Sequence, residues 1–456
     1  MKSKTKSYEM DLCQGSIVKK MFLFALPIVF SGVLQLLFGA MDIVVVGHFA
    51  GDNSLAAVGA NGTLIDLLTM LFIGISIGAN VIVAREYGAE NHEDISKIVH
   101  TAIPAALISG ILLIIIGVLG GNAFLRWMAT PEEIFSLALI YLRIYLLGAP
   151  AMMIYNFGSA ILRAIGDTRR PLYYLLFSGV LNVLLNLLFV IGFRMDVAGV
   201  AIATVISQNL SAVLTVRCLV KETGCVHLEL TKMRIHFDKL KEMLIVGIPA
   251  GIEGSLFSIA NVAIQSTINS FGAVAISGNT AAANLEGYIL MTMMAFGQAV
   301  LSFMSQNVGA RQYDRIKKIY FVGLSYVLSV GLALGFVIRH FGDTLLKIYS
   351  NNPEVIDAGM KRISIMCAFM FLWGIQNFTV GSLRGIGYSL FPTIVSVVCI
   401  CGLRIVWIAT VCQIPKFHNI TMVYISYPVS WITAGIILVT GFVVGYRRKI
   451  SHNIMK

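Results

Sequence analysis

Long apolar runs separated by short polar stretches govern this chain from end to end. Twelve stand out, at 21–46, 55–83, 99–121, 134–160, 171–193, 197–220, 243–271, 277–306, 319–341, 358–381, 392–414 and 421–446. About 20 apolar residues let a helix cross the hydrocarbon core of a bilayer. The runs are continuous rather than alternating, which favours helices over barrel strands. The expected fold class is an all-α integral membrane protein with twelve transmembrane helices. The first run is too long for a signal peptide, has no small-residue cleavage site and contains Pro27 and Asp42, so it is expected to be a retained span.

One phrase is written twice. Leu162-Arg163-Ala164-Ile165-Gly166 leads to Pro171, and Leu383-Arg384-Gly385-Ile386-Gly387 leads to Pro392, an offset of 221. Pro27 pairs with Pro249 and Pro131-Glu132 with Pro353-Glu354 at 222. Gly88-Ala89 pairs with Gly309-Ala310 and Asn156-Phe157 with Asn377-Phe378 at 221. Two six-helix repeats follow. Six spans return the chain to its starting side, so the repeats are parallel, with their axis along the membrane normal. The expected division is 1–220, a basic linker at 221–242, and 243–456. Glycines such as Gly74, Gly78, Gly251, Gly254, Gly331 and Gly335 suit close helix packing. Pro27, Pro104, Pro150, Pro249 and Pro428 are candidate kinks.

Composition agrees: 57% of residues are hydrophobic, 12% are charged and the mean hydropathy is +0.83. The net charge of +11 would suit nucleic acid, but its distribution does not. With the N-terminus inside, 25 of the 34 Lys and Arg fall on cytoplasmic segments, among them Lys2, Lys4, Lys6, Lys449 and Lys456. That is the positive-inside pattern. It predicts a plasma (inner) membrane protein with both termini cytoplasmic, the lipid bilayer as its surroundings and no nucleic-acid partner. Seven cysteines show no ligand spacing and read as packing residues. No phosphate loop, HExxH, GxSxG or strand-borne GxGxxG is present, so no enzyme activity and no cofactor are expected.

Charged residues at bilayer depth cost about 2.5–3.5 kcal/mol on insertion scales and rarely lie there idle. Asp42, Asp66, Arg143, Glu253, Glu286 and Arg404 are the candidates. Asp42 leads, because its carboxylate could bind a proton, sodium or a cationic compound. Asn182 and Asn186 are four apart and share a helix face. They would supply neutral oxygens beside it, and Thr204 a hydroxyl. Asn156 is repeated as Asn377, which suits packing in both halves. Glu253 and Glu286 are candidates for attracting a cationic substrate, and Arg143 and Arg404 read as pairing or snorkelling residues. The Met-rich stretch Met291–Gln298, with Met294, Gln298 and nearby Tyr288, suits varied apolar ligands.

These residues resemble the multidrug and toxic-compound extrusion (MATE) family over nearly the whole chain. The carriers are Leu26-Pro27, Gln35, Asp42 with Gly47-His48, Ala56-Ala57-Val58-Gly59 and the twin Leu-Arg-x-x-Gly…Pro phrases. The resemblance implies a V-shaped, two-lobe antiporter. It would export cationic and amphipathic small molecules by alternating access, driven by protons or sodium. It implies a cation site in the N-terminal lobe, where Asp42, Asn156, Asn182, Asn186 and Thr204 match; sodium at Asp42 is the only metal ion expected. Some members carry Asp where this chain has Asn186. Many carry an acid two turns beyond the seventh-helix proline, near Phe257 here, whereas Glu253 stands one turn earlier.

A monomer is expected. Other readings are a lipid-linked-oligosaccharide flippase of the same superfamily, a major-facilitator carrier and a non-transport membrane receptor. The first is disfavoured by having only Arg143 and Arg404 deep in spans. The second is disfavoured by Tyr87-Gly88-Ala89-Glu90-Asn91 where such carriers have a Gly-x-x-x-Asp-Arg motif, and the third by bare loops. At the repeat offset Asp42 faces Ile264, Asn182 faces Leu403 and Asn186 faces Trp407, so the polar set is expected only in the first half.

Overall fold

The computed structural model describes residues 8–128 and 130–454, with side chains through 448. Lys2, Lys4, Lys6 and Lys456 of the basic set lie outside the described residues, as does the side chain of Lys449. The described residues form helices joined by short connections. They are α1 Ile17–Phe49, α2 Asp52–Gly88, α3 His92–Trp127, α4 Glu132–Leu147 continued by Ala149–Ala164, α5 Arg169–Gly192 and α6 Asp196–Lys221. The second repeat supplies α7 Phe237–Asn269, α8 Ala273–Gly309, α9 Tyr313–Leu346, α10 Pro353–Gly385, α11 Leu390–Gln413 and α12 Ile420–Ile454. Each predicted run lies on one of these to within a few residues.

The repeat is written into the backbone as well as the sequence. Gly51 and Gly272, Glu90 and Arg311, and Gly166 and Gly387 all take positive φ, each pair 221 apart. The twin phrase is a helix stop. Gly166 (φ 93°) follows α4, and Asp167 N donates to Leu162 O at 2.9 Å; Gly387 (φ 100°) follows α10, and Tyr388 N donates to Leu383 O at 2.8 Å. That six-to-one bond needs a left-handed residue, which glycine adopts without strain. Pro171 and Pro392 then sit in the first turn of the next helix, where a missing N–H costs little. Asp167 is buried and accepts from Arg169 N and Arg170 N at 3.0 and 3.1 Å, capping α5.

Among the described residues one span is broken at a proline. Pro27, Pro104, Pro249 and Pro428 lie inside continuous helices. At Gly148–Pro150, by contrast, α4 bends by 47°. The repeat equivalent of Pro150 is Phe371, and α10 runs unbroken. A Cβ on Gly110 would stand 2.2 Å from Pro150 Cα, so α3 meets the bend through a glycine.

The described residues fall into two compact units: residues up to Leu12 with Phe30–Ser255, and Cys13–Val29 with the residues from Leu256 onward. The divisions lie inside α1 and α7, a few residues after Pro27 and Pro249. In the first unit α7 packs on α2 through facing glycines. A Cβ on Gly74 would meet Gly251 N at 2.2 Å, and one on Gly247 would meet Ile75 Cα at 2.4 Å. Such closeness gives the packing that drives helix association in lipid. The segment between the repeats belongs to this unit and is not loose. Val226 and Leu228 are fully buried, Glu229 N donates to His100 Nε2 at 3.0 Å, and Arg85 pairs with Glu242 at 2.5 Å. In the second unit Phe24 meets Phe303 edge-on, and Gly335 and Gly381 let helices approach through backbone atoms. Outward-facing Leu107, Ile108, Ile111, Leu112 and Ile115 form an exposed apolar stripe on α3, as a lipid-facing surface requires.

Candidate cation site and buried polar clusters

In the first unit a hydrogen-bonded chain joins three helices. Asn186 Nδ2 donates to Asp42 Oδ1 at 2.5 Å and to Asn182 Oδ1 at 3.2 Å. Asn182 Nδ2 donates to Thr204 Oγ1 at 3.3 Å, and Thr204 Oγ1 donates to Val200 O at 3.0 Å. The i,i+4 spacing on α5 puts both carboxamides on one face; α1 brings the carboxylate and α6 the hydroxyl. Asn186 is fully buried, and its Oδ1 has no donor. A buried carbonyl oxygen without a donor costs free energy, unless a cation or water supplies the missing charge. Asp42 forms no ion pair among the described residues. The site therefore offers oxygens from Asp42, Asn186, Asn182 and Thr204 with one formal negative charge. Immediately after Asn186 the helix widens into a π-helical turn, Leu187–Gly192, a feature frequent at functional sites.

Four of the five predicted cation-site residues meet in this chain. The fifth, Asn156, is half-buried and donates to Met152 O of its own helix at 2.8 Å. Asp66 is exposed, as is Arg143. Glu253 is 7% exposed and belongs to the first unit. Tyr288 and Gln298 are half-buried and Met294 is exposed on α8, while neighbouring Met293 is core, beneath Gly331 and Gly374.

The second unit holds a buried polar cluster of its own, built from other positions than the repeat equivalents of Asp42, Asn182 and Asn186. Arg362 donates Nε and Nη2 to the two carboxylate oxygens of Glu286 at 2.9 and 2.7 Å, and Nη1 to Asn279 Oδ1 at 2.7 Å. Glu286 is 1% exposed, and its charge is answered within the protein. Arg404, expected to pair or snorkel, forms no ion pair among the described residues. It is 4% exposed, stacks 4.0 Å from the Tyr427 ring centroid and 5.7 Å from that of Trp431, and donates Nε to Ser430 Oγ at 2.8 Å. Sequence reasoning passed over Arg362 because it follows Lys361 near the start of α10, where a helix end in water would be ordinary. The signal that was present is Tyr424, Tyr427 and Trp431 at i, i+3 and i+7, one aromatic face on α12.

Comparison with known proteins follows the same two halves. A family model described as MatE matches residues 27–188 and again 249–410. The chain is 28% identical to "Probable multidrug resistance protein YoeA" of Bacillus subtilis, over 94% of this chain and 93% of that one. It is 27% identical to "Probable multidrug resistance protein NorM" of Thermotoga maritima, over 85% and 84%. An outward-facing multidrug resistance MATE family transporter of the MOP superfamily superposes with a TM-score of 0.88 at 22% identity, covering 96% of this chain and 97% of that one, which shows the shared fold.

Proposed function

Because the chain belongs to the MATE family of transporters, we propose that it is a secondary active antiporter exporting amphipathic, chiefly cationic compounds in exchange for protons or sodium by alternating access. The observation that carries the coupling role is the Asp42–Asn186–Asn182–Thr204 chain, with Asn186 Oδ1 left buried and without a donor. A carboxylate with no ion-pair partner among the described residues and three neutral oxygen groups suits a small hard cation or a proton held with water. The multidrug names of the relatives YoeA and NorM support export of varied toxic compounds. Loading Asp42 neutralises it and removes the reason for the chain to hold its unloaded arrangement. Such a change is the differential interaction that lets an ion shift a conformational equilibrium. The basic bias of the inter-span segments supports cytoplasmic termini in the plasma membrane.

The test is efflux of a fluorescent lipophilic cation from proteoliposomes, with an imposed pH gradient in one arm and a sodium gradient in the other. Efflux driven by one or both gradients, and abolished by Asp42→Asn, is expected. Efflux that ignores both gradients, or survives that substitution unchanged, overturns the reading.

A further inference from the structure

The second unit buries more positive charge than it neutralises. Both oxygens of Glu286 are taken by Arg362, whose third nitrogen goes to Asn279. Arg404 shares the Tyr427 ring with Arg362, at 4.0 and 5.8 Å from its centroid, but has no carboxylate partner among the described residues. Among the described residues its one hydrogen bond goes to Ser430 Oγ, and the Ser430 proton is itself spent on Tyr427 O at 2.7 Å. The two terminal nitrogens of Arg404 meet no acceptor among the described residues. Beside them Trp431 Nε1 is a buried donor with no acceptor. The cluster thus has a surplus of donors and one unanswered cation.

A guanidinium at this depth is costly when nothing opposite in charge accompanies it. Aromatic faces return only part of that cost. A planar guanidinium fork matches an oxyanion, which it can hold through two parallel bonds. We propose that the buried polar cluster around Arg404, on α11 and α12, binds the carboxylate or phosphate group of an amphipathic molecule. Tyr427 and Trp431 would hold the guanidinium plane from one side, and the Glu286–Arg362 pair would position Tyr427. The cargo range then includes anionic and zwitterionic amphiphiles. The inference deepens the export reading and rests on it for transport, whereas the binding step stands apart from it.

The test uses the full chain purified in nonionic detergent. Its probes are 2-naphthoate, 2-naphthyl phosphate and the like-shaped cation 2-naphthylmethylammonium, and its readout is titration calorimetry. Both anions are expected to bind, and Arg404→Gln should weaken them about tenfold or more, as for the loss of a charge-assisted pair. The cation should bind that variant no worse than wild type. Arg404→Gln is also expected to melt no lower than wild type in the absence of probe. Absence of anion binding, equal anion binding by the variant, or an equal loss for the cation overturns the proposal. If Arg404→Gln does not fold, Arg404→Lys keeps the charge without the fork and must still weaken 2-naphthyl phosphate; unchanged binding overturns the proposal. Competition of phosphatidylglycerol with 2-naphthyl phosphate assigns the oxyanion to a lipid headgroup, and its absence assigns it to a soluble molecule. Anion binding without gradient-driven efflux would sink the export reading alone. Efflux without anion binding would sink this inference alone.

Discussion

Asn186 stands 144 residues from Asp42 along the chain, yet its side-chain nitrogen donates to the Asp42 carboxylate at 2.5 Å while its own oxygen is buried without a donor. One carboxamide thus orients the carboxylate and presents an acceptor beside it.

Asp42→Asn keeps the size of the side chain and an oxygen for Asn186 Nδ2, but removes the charge. It is expected to leave stability within about 1 kcal/mol, the scale of one net hydrogen bond, and to reduce gradient-driven efflux to background. Thermal melting beside proteoliposome efflux checks both. A variant that folds and pumps normally would remove Asp42 from the coupling site.

Asn182 and Asn156 make a matched pair for testing the geometry. Asn182 links Asn186 to Thr204, whereas Asn156 bonds within its own helix. Asn182→Ala should raise the ion concentration giving half-maximal efflux about tenfold, equivalent to ~1.4 kcal/mol. Asn156→Ala should change it much less. Equal effects would mean that the hydrogen-bonded chain does not define the ion site.

Close backbone approach makes a third prediction. A Cβ on Gly251 would meet Leu71 O at 2.4 Å, while one on Gly39 would meet nothing within 4 Å. Gly251→Ala should destabilise by about 1–3 kcal/mol through overpacking. Gly39→Ala should be near neutral or stabilising, since alanine is the better helix former. Melting temperatures in one detergent decide it, and equal shifts would contradict the α2–α7 crossing.

Breaking the buried Glu286–Arg362 pair from one side leaves a lone charge, at about 3–5 kcal/mol. Glu286→Gln should therefore destabilise strongly, and adding Arg362→Met should recover much of the loss. A double-mutant cycle measures the coupling. Additive losses would show that the bidentate pair is not an energetic unit.

Much of the fold was legible without coordinates because bilayer physics restricts it so strongly. Among the described residues the twelve apolar runs become eleven continuous helices and one bent pair, since no other backbone satisfies its hydrogen bonds in hydrocarbon except a closed barrel. The twin phrase also carried its local structure: a glycine able to take positive φ, then a proline in the next first turn, stops one helix and starts another in each half. Asn182 and Asn186 shared a face by spacing alone. Other properties depend on which faces meet across long stretches of chain, and no local pattern states that. Only tertiary packing could show that the span breaks at Gly148–Pro150 while four other prolines lie inside continuous helices. It alone paired Glu286 with Arg362, joined α7 to α2 through glycines, and left Arg404 buried without a carboxylate partner among the described residues. A charged residue in an apolar run reveals its cost in the sequence; the partner that answers it, or fails to, is chosen by the fold.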